Sequence, residues 1–237
     1  MGSTTVAPLS PNAWLRTYTA PMDSPSDAAV ATLAQVVLPE RAARLEEVLA
    51  MRTRHLVLVL ENLFDAHNLC AVFRTADAYG IQEVHVLDRT GDFGVSRKIT
   101  MGAHKWLDLH VGDSPEALIG GLQERGYRVF AATLAEAARP TPLPDLDLSG
   151  RVAFVFGNEH RGLEDDTVAL CDGAFVIPMR GFAQSLNVSV SAAVTLHHAR
   201  ATRDWPALED DDAQAVRRHW TVLAVKQAER IVTAVDG

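Results

Sequence analysis

Long apolar runs are absent from the sequence, and none approaches the roughly 20 residues that a membrane-spanning helix needs. The first residues also lack the basic start and apolar segment that mark a secretory signal. Only two cysteines are present, Cys70 and Cys171, and each lies within an apolar pattern. We therefore expect a cytoplasmic protein without a membrane partner, whose cysteines are reduced and packed rather than joined in a disulfide.

Several short motifs of common enzymes are missing as well. No G-x-G-x-x-G follows a predicted strand, which disfavours a nicotinamide-dependent dehydrogenase. The segment "GNEHRG" has two glycines at phosphate-loop spacing, but no Lys-Ser or Lys-Thr pair follows it. G-x-S-x-G, the nucleophile turn of many hydrolases, is also absent. The adjacent His197 and His198 would point to different sides of a helix, so we expect no metal site.

The net charge is −8, which taken alone argues against a polyanionic partner such as nucleic acid. The basic residues are nevertheless clustered, before the first predicted strand, in the middle of the chain and near its end. The acidic residues gather elsewhere, as in the run that begins at Glu209. A positive face that binds phosphates is therefore compatible with this composition.

Predicted strands and helices alternate from residue 55 to residue 203, which indicates an α/β domain with a largely parallel sheet. Runs such as "HLVLVLENL" and "RVAFVFG" are continuously apolar, as expected for strands that are covered on both faces. The last 25 residues or so predict one helix over 213–234. We divide the chain into an N-terminal arm with a short helix (1–37), a helical extension (38–54), a central domain (55–204) and a C-terminal helical extension (205–237).

Polar residues and glycines follow four of the predicted strands. In open α/β sheets, ligands bind beyond the carboxyl ends of the strands, so these segments are expected to form one site. The segments are "ENLFDAHNLCAVFRTA", "TLAEA", "GNEHRG" and "PMRGFAQSLN".

Structural roles are an alternative for each polar residue taken singly. Asn68 could simply cap the helix that it precedes, and Ser185 or Asn187 could cap the next long helix. Arg74 could form a surface pair with Asp77, three residues on. Glu159 could favour the N-terminus of the helix after it, and Gly157 could merely permit a tight turn.

Three motifs, taken together, resemble those of the SpoU/TrmH branch of the knotted SPOUT RNA methyltransferases. The order and spacing match, and the third motif is the most specific. The resemblance extends over roughly residues 38 to 235, and the flanking segments are most similar to the tRNA guanosine-18 2'-O-methyltransferases within the family. The motifs are "NLCAVFRTADAYG", "VFGNEHRGL" and "IPMRGFAQSLNVSVSAAVTL".

This resemblance implies a deep C-terminal trefoil knot, a rare exception among folds. It also implies S-adenosylmethionine bound within the knot and a homodimer whose sites borrow residues from the partner. The same resemblance assigns the cofactor to backbone and side-chain groups of the strand-end loops. Those residues are Thr133, Leu134, Gly157, Ile177, Met179, Ser185, Leu186 and Asn187.

The implied reaction is methyl transfer to a ribose 2'-oxygen, at guanosine 18 in the tRNA D-loop. Arg74 would activate or stabilise that oxygen, Asn68 and Asn187 would position the sugar or Arg74, and Ser185 and Glu159 would fix the arrangement. Alternatives are a ribosomal RNA 2'-O-methyltransferase and a non-catalytic knotted RNA-binding protein; no DNA partner is expected. Candidates for contacts with RNA phosphates are Arg41, Arg44, Arg52, Lys105, Arg217 and Arg218.

Overall fold

The structure is a computed structural model, and it describes residues 16–17, 25–63, 65–91 and 105–236. The helices are α1 (Asp27–Val36), α2 (Pro39–Leu49), α3 (Ala66–Ala78), α4 (Pro115–Glu124), α5 (Asp165–Leu170), α6 (Val188–Thr202), α7 (Asp210–Ala224) and α8 (Ala228–Asp236). The strands are β1 (Arg16–Thr17), β2 (Leu56–Glu61), β3 (Glu83–Leu87), β4 (Asp108–Gly112), β5 (Tyr127–Ala132), β6 (Thr141–Pro142), β7 (Arg151–Phe156) and β8 (Gly173–Val176).

These strands form one sheet in the order β1-β4-β3-β2-β7-β5-β8-β6. Every pairing between them is parallel except the antiparallel edge pair of β1 with β4. The predicted α/β class and mostly parallel sheet are therefore confirmed. The short edge strands β1 and β6 were not predicted from the sequence. The arm predicted for the first residues falls outside the described residues, except for the two residues of β1.

Helices cover both faces of the sheet. Successive side chains of a strand point to opposite sides, so each central strand contributes to two apolar cores. Leu58, Phe154 and Phe175 belong to the apolar core beneath α3 and α6. Val59 and Val155, at alternate positions, belong to the second core beneath α4 and α5. The central strands β2, β7 and β5 thus have apolar residues on both faces, which explains their continuous hydrophobic runs. None of the helices within the described part of the chain has the length and apolarity to cross a bilayer.

The terminal extensions pack against each other rather than standing apart. Trp220 of α7 is buried against Leu49 of α2, while Leu33 of α1 is buried against Val232 of α8. The single helix predicted over 213–234 is wrong, because α7 ends at Ala224 and α8 begins at Ala228. Gln227 has a φ of 59°, a left-handed conformation that ends the helical path. Separate helices let α7 pack on α2 and α8 pack on α1.

Arg52 lies inside the protein, with 1% of its surface exposed. Its guanidinium forms an ion pair with Asp77, donates a hydrogen bond to the carbonyl of Ile81 at 2.8 Å and lies 5.0 Å from the Trp220 ring centre. The expectation that Arg52 contacts RNA phosphate is therefore wrong. The alternative pairing of Arg74 with Asp77 is also absent, since the Asp77 carboxylate is engaged by Arg52.

A second buried polar cluster lies at the amino ends of β3 and β5. The Glu83 carboxylate accepts two hydrogen bonds from Arg125, at 2.6 and 2.7 Å, and lies 2.6 Å from the His85 ring. Burial would raise the pKa of Glu83, but these hydrogen bonds outweigh it and hold the pKa well below its usual value. His110 stacks on His85 with ring centres 4.9 Å apart, and burial lowers the pKa of His110 to about 4.

Replacing Asp77 with alanine should leave the buried Arg52 charge without its carboxylate. We expect the free energy of unfolding to fall by about 2–3 kcal/mol, measured by urea denaturation. The matched control is Glu47→Ala, which breaks the exposed Arg44–Glu47 pair and should cost less than about 0.5 kcal/mol. Equal losses in the two variants would contradict a stabilising role for the buried pair.

His110 makes stability depend on pH in a defined window. Because its pKa is about 4 in the folded state against 6.5 for the ordinary side chain, the unfolded chain takes up a proton between these values and the folded chain does not. Stability should therefore fall as pH drops from 6.5 to 4, by about 3 kcal/mol from this group. In His110→Leu this part of the dependence of the unfolding free energy on pH should vanish. Denaturation curves measured from about pH 4 to about pH 7 would show it. A slope identical to wild type would contradict the assignment.

Candidate active site

A cavity of about 830 Å³ lies at the carboxyl ends of β5, β7 and β8. Its walls come from the segments that follow these strands and from the start of α6. The predicted cofactor-binding residues that line it are Thr133, Leu134, Gly157, Ile177, Met179, Ser185 and Leu186. Asn187 does not line the cavity, although its neighbours Leu186 and Val188 do. Three of the four strand-end segments singled out from the sequence therefore contribute to one cavity wall.

The loop after β7 folds back on itself in a tight turn. Asn158 and Gly162 exchange backbone hydrogen bonds at 3.0 and 2.8 Å. A Cβ atom at Gly157 would lie 2.2 Å from the Gly162 carbonyl, closer than any real contact. Gly157 is therefore required for the close approach of two backbone segments, and this turn presents Glu159 beside the cavity.

A line of three side chains connects the three sequence motifs. The Asn187 amide donates to the Asn68 carbonyl oxygen at 3.0 Å, and the Asn68 amide donates to the Glu159 carboxylate. Asn68 lies in the first turn of α3, Glu159 follows β7 and Asn187 precedes α6. Residues that are distant in sequence are thus joined by side-chain hydrogen bonds at one edge of the sheet.

The structure shows which of the candidate residues cap a helix and which do not. Asp65 is the N-cap of α3, and its carboxylate accepts from the backbone of His67 and Asn68, so the Asn68 side chain is not the cap. Glu159 is also away from a helix start, because α5 is preceded by Glu164. Asn187 does cap α6, accepting from the Ser189 backbone at 2.8 Å while its amide group serves Asn68.

Arg74 lies on α3 and is exposed. No hydrogen bond or ion pair joins its side chain to the rest of the described chain. It does not line the cavity, and it lies six positions after Asn68 along the helix, a rise of about 9 Å. Ser185, by contrast, lines the cavity directly. The structure therefore brings Asn68, Glu159, Ser185 and Asn187 together and leaves the Arg74 guanidinium open at the surface.

The remaining candidates for phosphate contacts are at the surface of the helical extensions and before β4. Arg44 pairs with Glu47, and Arg217 pairs with Glu46 at 2.7 Å. Arg218 pairs with Asp27 and donates to the Pro25 carbonyl at 2.8 Å. The Lys105 ammonium lies 4.8 Å from the Trp106 ring centre, and Arg41 is exposed. Since α2 packs on α7, Arg41, Arg44 and Arg217 belong to one helix pair.

The residues that support the Glu159 loop were not predicted from the sequence. The Asn158 amide donates to the Asn62 carbonyl at 3.0 Å, and the Asn62 side chain accepts from the Arg89 backbone at 3.1 Å. Glu61, at the end of β2, is fully buried. The only signal in the sequence was a charged residue that ends a continuous apolar strand.

Comparison with known proteins agrees with this arrangement. The profile of the SpoU rRNA methylase family matches residues 55–197. The tRNA (guanosine(18)-2'-O)-methyltransferase of Thermus thermophilus is 40% identical over 186 residues, which cover 76% of this chain and 95% of that protein. The 23S rRNA (guanosine-2'-O-)-methyltransferase RlmB of Coxiella burnetii is 34% identical over 180 residues, 75% of this chain and 71% of that protein.

The fold is shared with a solved member of the same group. The crystal structure of a TrmH/SpoU tRNA-modifying enzyme of Aquifex aeolicus superposes with a TM-score of 0.70 at 30% sequence identity. The superposition covers 79% of this chain and 98% of the Aquifex chain. The profile match covers more than half of the chain, and the Thermus relative is 40% identical over most of both sequences, so this chain belongs to the SpoU rRNA methylase family.

Proposed function

We propose that this protein transfers a methyl group from S-adenosylmethionine to a ribose 2'-oxygen in RNA, at guanosine 18 in the D-loop of tRNA. The observation that carries the proposal is the hydrogen-bonded line from Asn187 through Asn68 to Glu159, next to the strand-end cavity. The choice of guanosine 18 follows the name of the Thermus relative, whose length is almost fully matched.

The cavity suits S-adenosylmethionine in size and chemistry. Its volume of about 830 Å³ lies within the usual range for small-molecule sites. Leu134, Ile177, Met179 and Leu186 provide an apolar lining. The backbone of residues 179–186 takes part in none of the loop hydrogen bonds of the described chain, so its N–H and C=O groups are available to a ligand.

S-Adenosylmethionine, when bound, would supply an electrophilic methyl group on a sulfonium, and S-adenosylhomocysteine would leave as the methyl–sulfur bond breaks. The protein's contribution is alignment and charge. Asn68 and Asn187, held in one line with Glu159, would fix the sugar, and Ser185 would bind a phosphate or orient Arg74. A guanidinium keeps its proton in proteins, so Arg74 would stabilise the developing alkoxide, and the 2'-hydroxyl proton would pass to water at the exposed rim. Correct alignment of two reactants can lower the barrier by about 7–11 kcal/mol.

We further propose a homodimer and a C-terminal trefoil knot within the domain of residues 55–204. Arg74 is exposed and does not line the cavity of its own chain, which suits a site that combines residues of two subunits. Val190, Val194 and Phe182 expose apolar surface on α6 and on the loop before it, as expected for a face that a second subunit covers. The knot would thread the loop between β8 and α6, whose residues line the cavity.

The RNA-binding surface is proposed to include α2, α7 and the residues before β4. Its members are Arg41, Arg44, Lys105, Arg217 and Arg218, and Arg52 is excluded because it is buried. A cytoplasmic location follows from a tRNA substrate.

The 34% identity to the Coxiella RlmB supports a second candidate, 2'-O-methylation of ribosomal RNA.

Mass spectrometry of nucleosides would test the function directly. Purified protein is incubated with S-adenosylmethionine and, separately, tRNA transcripts with guanosine 18, the same transcripts with another base there, and ribosomal RNA. We expect 2'-O-methylguanosine only with the first substrate. Methylation confined to ribosomal RNA would favour the second candidate, and no methylation of any RNA would contradict both.

Arg74→Ala should reduce methyl transfer by about 100- to 1000-fold, because a preorganised donor for the developing charge is lost. Binding of S-adenosylmethionine, measured by calorimetry, should stay close to wild type, since Arg74 does not line the cavity. The control is Arg128→Ala, which removes an arginine at the amino end of β5 and should leave transfer unchanged. Loss of cofactor binding in Arg74→Ala would contradict this role.

Arg41→Ala should weaken RNA binding and change its salt dependence. One phosphate contact contributes about 0.9 to the slope of log K against log salt, so the slope should decrease by about that amount. Filter binding from about 50 to about 200 mM salt measures it, with Arg128→Ala as the reference variant. An unchanged slope would remove Arg41 from the proposed surface.

A further inference from the structure

Glu61 is a buried carboxylate at the carboxyl end of β2, with none of its surface exposed. It accepts a hydrogen bond from the Thr167 hydroxyl at 2.6 Å and one from the Glu164 backbone N–H at 3.0 Å. The Arg89 guanidinium lies 3.5 Å away, and it also holds Asp166 with two hydrogen bonds of 2.7 Å. The Glu61 carboxylate therefore connects β2 to the start of α5.

These contacts attach the loop that carries Glu159 at both of its ends. At one end the Asn158 amide donates to the carbonyl of Asn62, the neighbour of Glu61. At the other end Glu164 and Thr167 donate to Glu61 itself. The turn between them is closed by its own backbone hydrogen bonds. Glu159 thus lies in a short loop whose two ends are bonded to Asn62 and Glu61, at the carboxyl end of β2.

The same end of β2 leads directly to the helix that carries Asn68. Asp65 caps α3 a few residues after Glu61 and fixes the start of the helix. Glu61 therefore lies where the segment bearing Asn68 and the segment bearing Glu159 diverge. The hydrogen bond between Asn68 and Glu159 depends on the distance between these two segments.

A buried glutamate at position 61 carries a cost in folding free energy. Val57 and Val59, on the same face of β2, belong to the apolar core beneath α4 and α5. A buried carboxylate loses its hydration, and burial raises the pKa of Glu61 against the opposing hydrogen bonds of Thr167 and Glu164. A well-packed apolar residue would stabilise the core at least as well. A gain other than stability should therefore account for the carboxylate.

We propose that Glu61 is a positioning residue for methyl transfer: by holding Glu164 and Thr167 it sets the loop of Glu159, and through Glu159 it sets Asn68. This inference rests on the proposed function of the site. Glu61 does not line the cavity, so it acts through the loop and not by contact with a ligand there. A shift of about 1 Å in such a supporting contact can cost about 100-fold in rate.

The test compares two variants with a matched control. Glu61→Gln keeps the size but has one acceptor oxygen for two donors, and Thr167→Val removes the hydroxyl donor while keeping the shape. Each should lower kcat for RNA methylation by about 10- to 100-fold. The Kd of S-adenosylmethionine and the KM for RNA should change by less than about threefold. Glu83→Gln, which alters the buried glutamate of the amino-end cluster, should lose stability but keep kcat.

Two further measurements separate positioning from a general loss of structure. Thr167→Ser restores the hydroxyl and should recover most of kcat. In the Glu159→Gln background, adding Glu61→Gln should have little further effect on kcat. The reason is that Glu61 acts on the reaction through the Glu159 carboxylate, which this background already lacks. Independent, multiplicative effects of the two changes would overturn the inference.

The outcomes also distinguish this inference from the proposed function. A wild-type protein that methylates no RNA would contradict the proposed function. An active wild type whose kcat is unchanged in Thr167→Val and in folded Glu61→Gln would contradict the role of Glu61 alone. Should Glu61→Gln fail to fold, Thr167→Val with its serine control decides the question.

Discussion

The hydrogen-bonded line from Asn187 through Asn68 to Glu159 is the constraint on which the arrangement of the loops at the strand ends depends. The carboxyl ends of parallel strands lie on the same side of the sheet, so loops that are far apart in sequence are neighbours in space. An amide can donate and accept at once, which lets Asn68 join two partners that a carboxylate alone could not join in this direction. The strands bring the loops to one edge, and this line fixes their relative positions.

Buried charged residues lie at both the amino and the carboxyl ends of the strands. The two groups have different effects on the protein. At the amino ends, Glu83 and Arg125 satisfy each other, and the neighbouring His110 is expected to make stability depend on pH. At the carboxyl end, Glu61 is satisfied largely by a backbone N–H and a hydroxyl from another segment. A carboxylate held in this way fixes where that segment lies. The first cluster constrains the fold, and the second, on our proposal, constrains the site.

Much of the sheet could be predicted because its signal is local: β2 and β7 are continuous apolar runs between polar strand ends. The cavity residues were predicted through motif resemblance rather than through periodicity. Arg52 could not be placed, because an arginine after an amphipathic helix has the same local pattern whether it faces solvent or Asp77. The break between α7 and α8 carried no glycine or proline, since it results from packing on α2 and α1. Glu61 was missed because its partners, Glu164 and Thr167, are far away in the sequence.

In this chain of net charge −8, the candidate arginines for RNA binding differ in how easily they can exchange their carboxylate partners for a phosphate. Arg44 and Arg217 are paired with the exposed carboxylates of Glu47 and Glu46. Exposed pairs of this kind contribute only about 0–1 kcal/mol, so a phosphate can replace the carboxylate at little cost. Arg52 is different, because leaving Asp77 would strip a buried guanidinium of its counter-charge. Burial, rather than the number of arginines, therefore decides which cations can exchange partners with RNA.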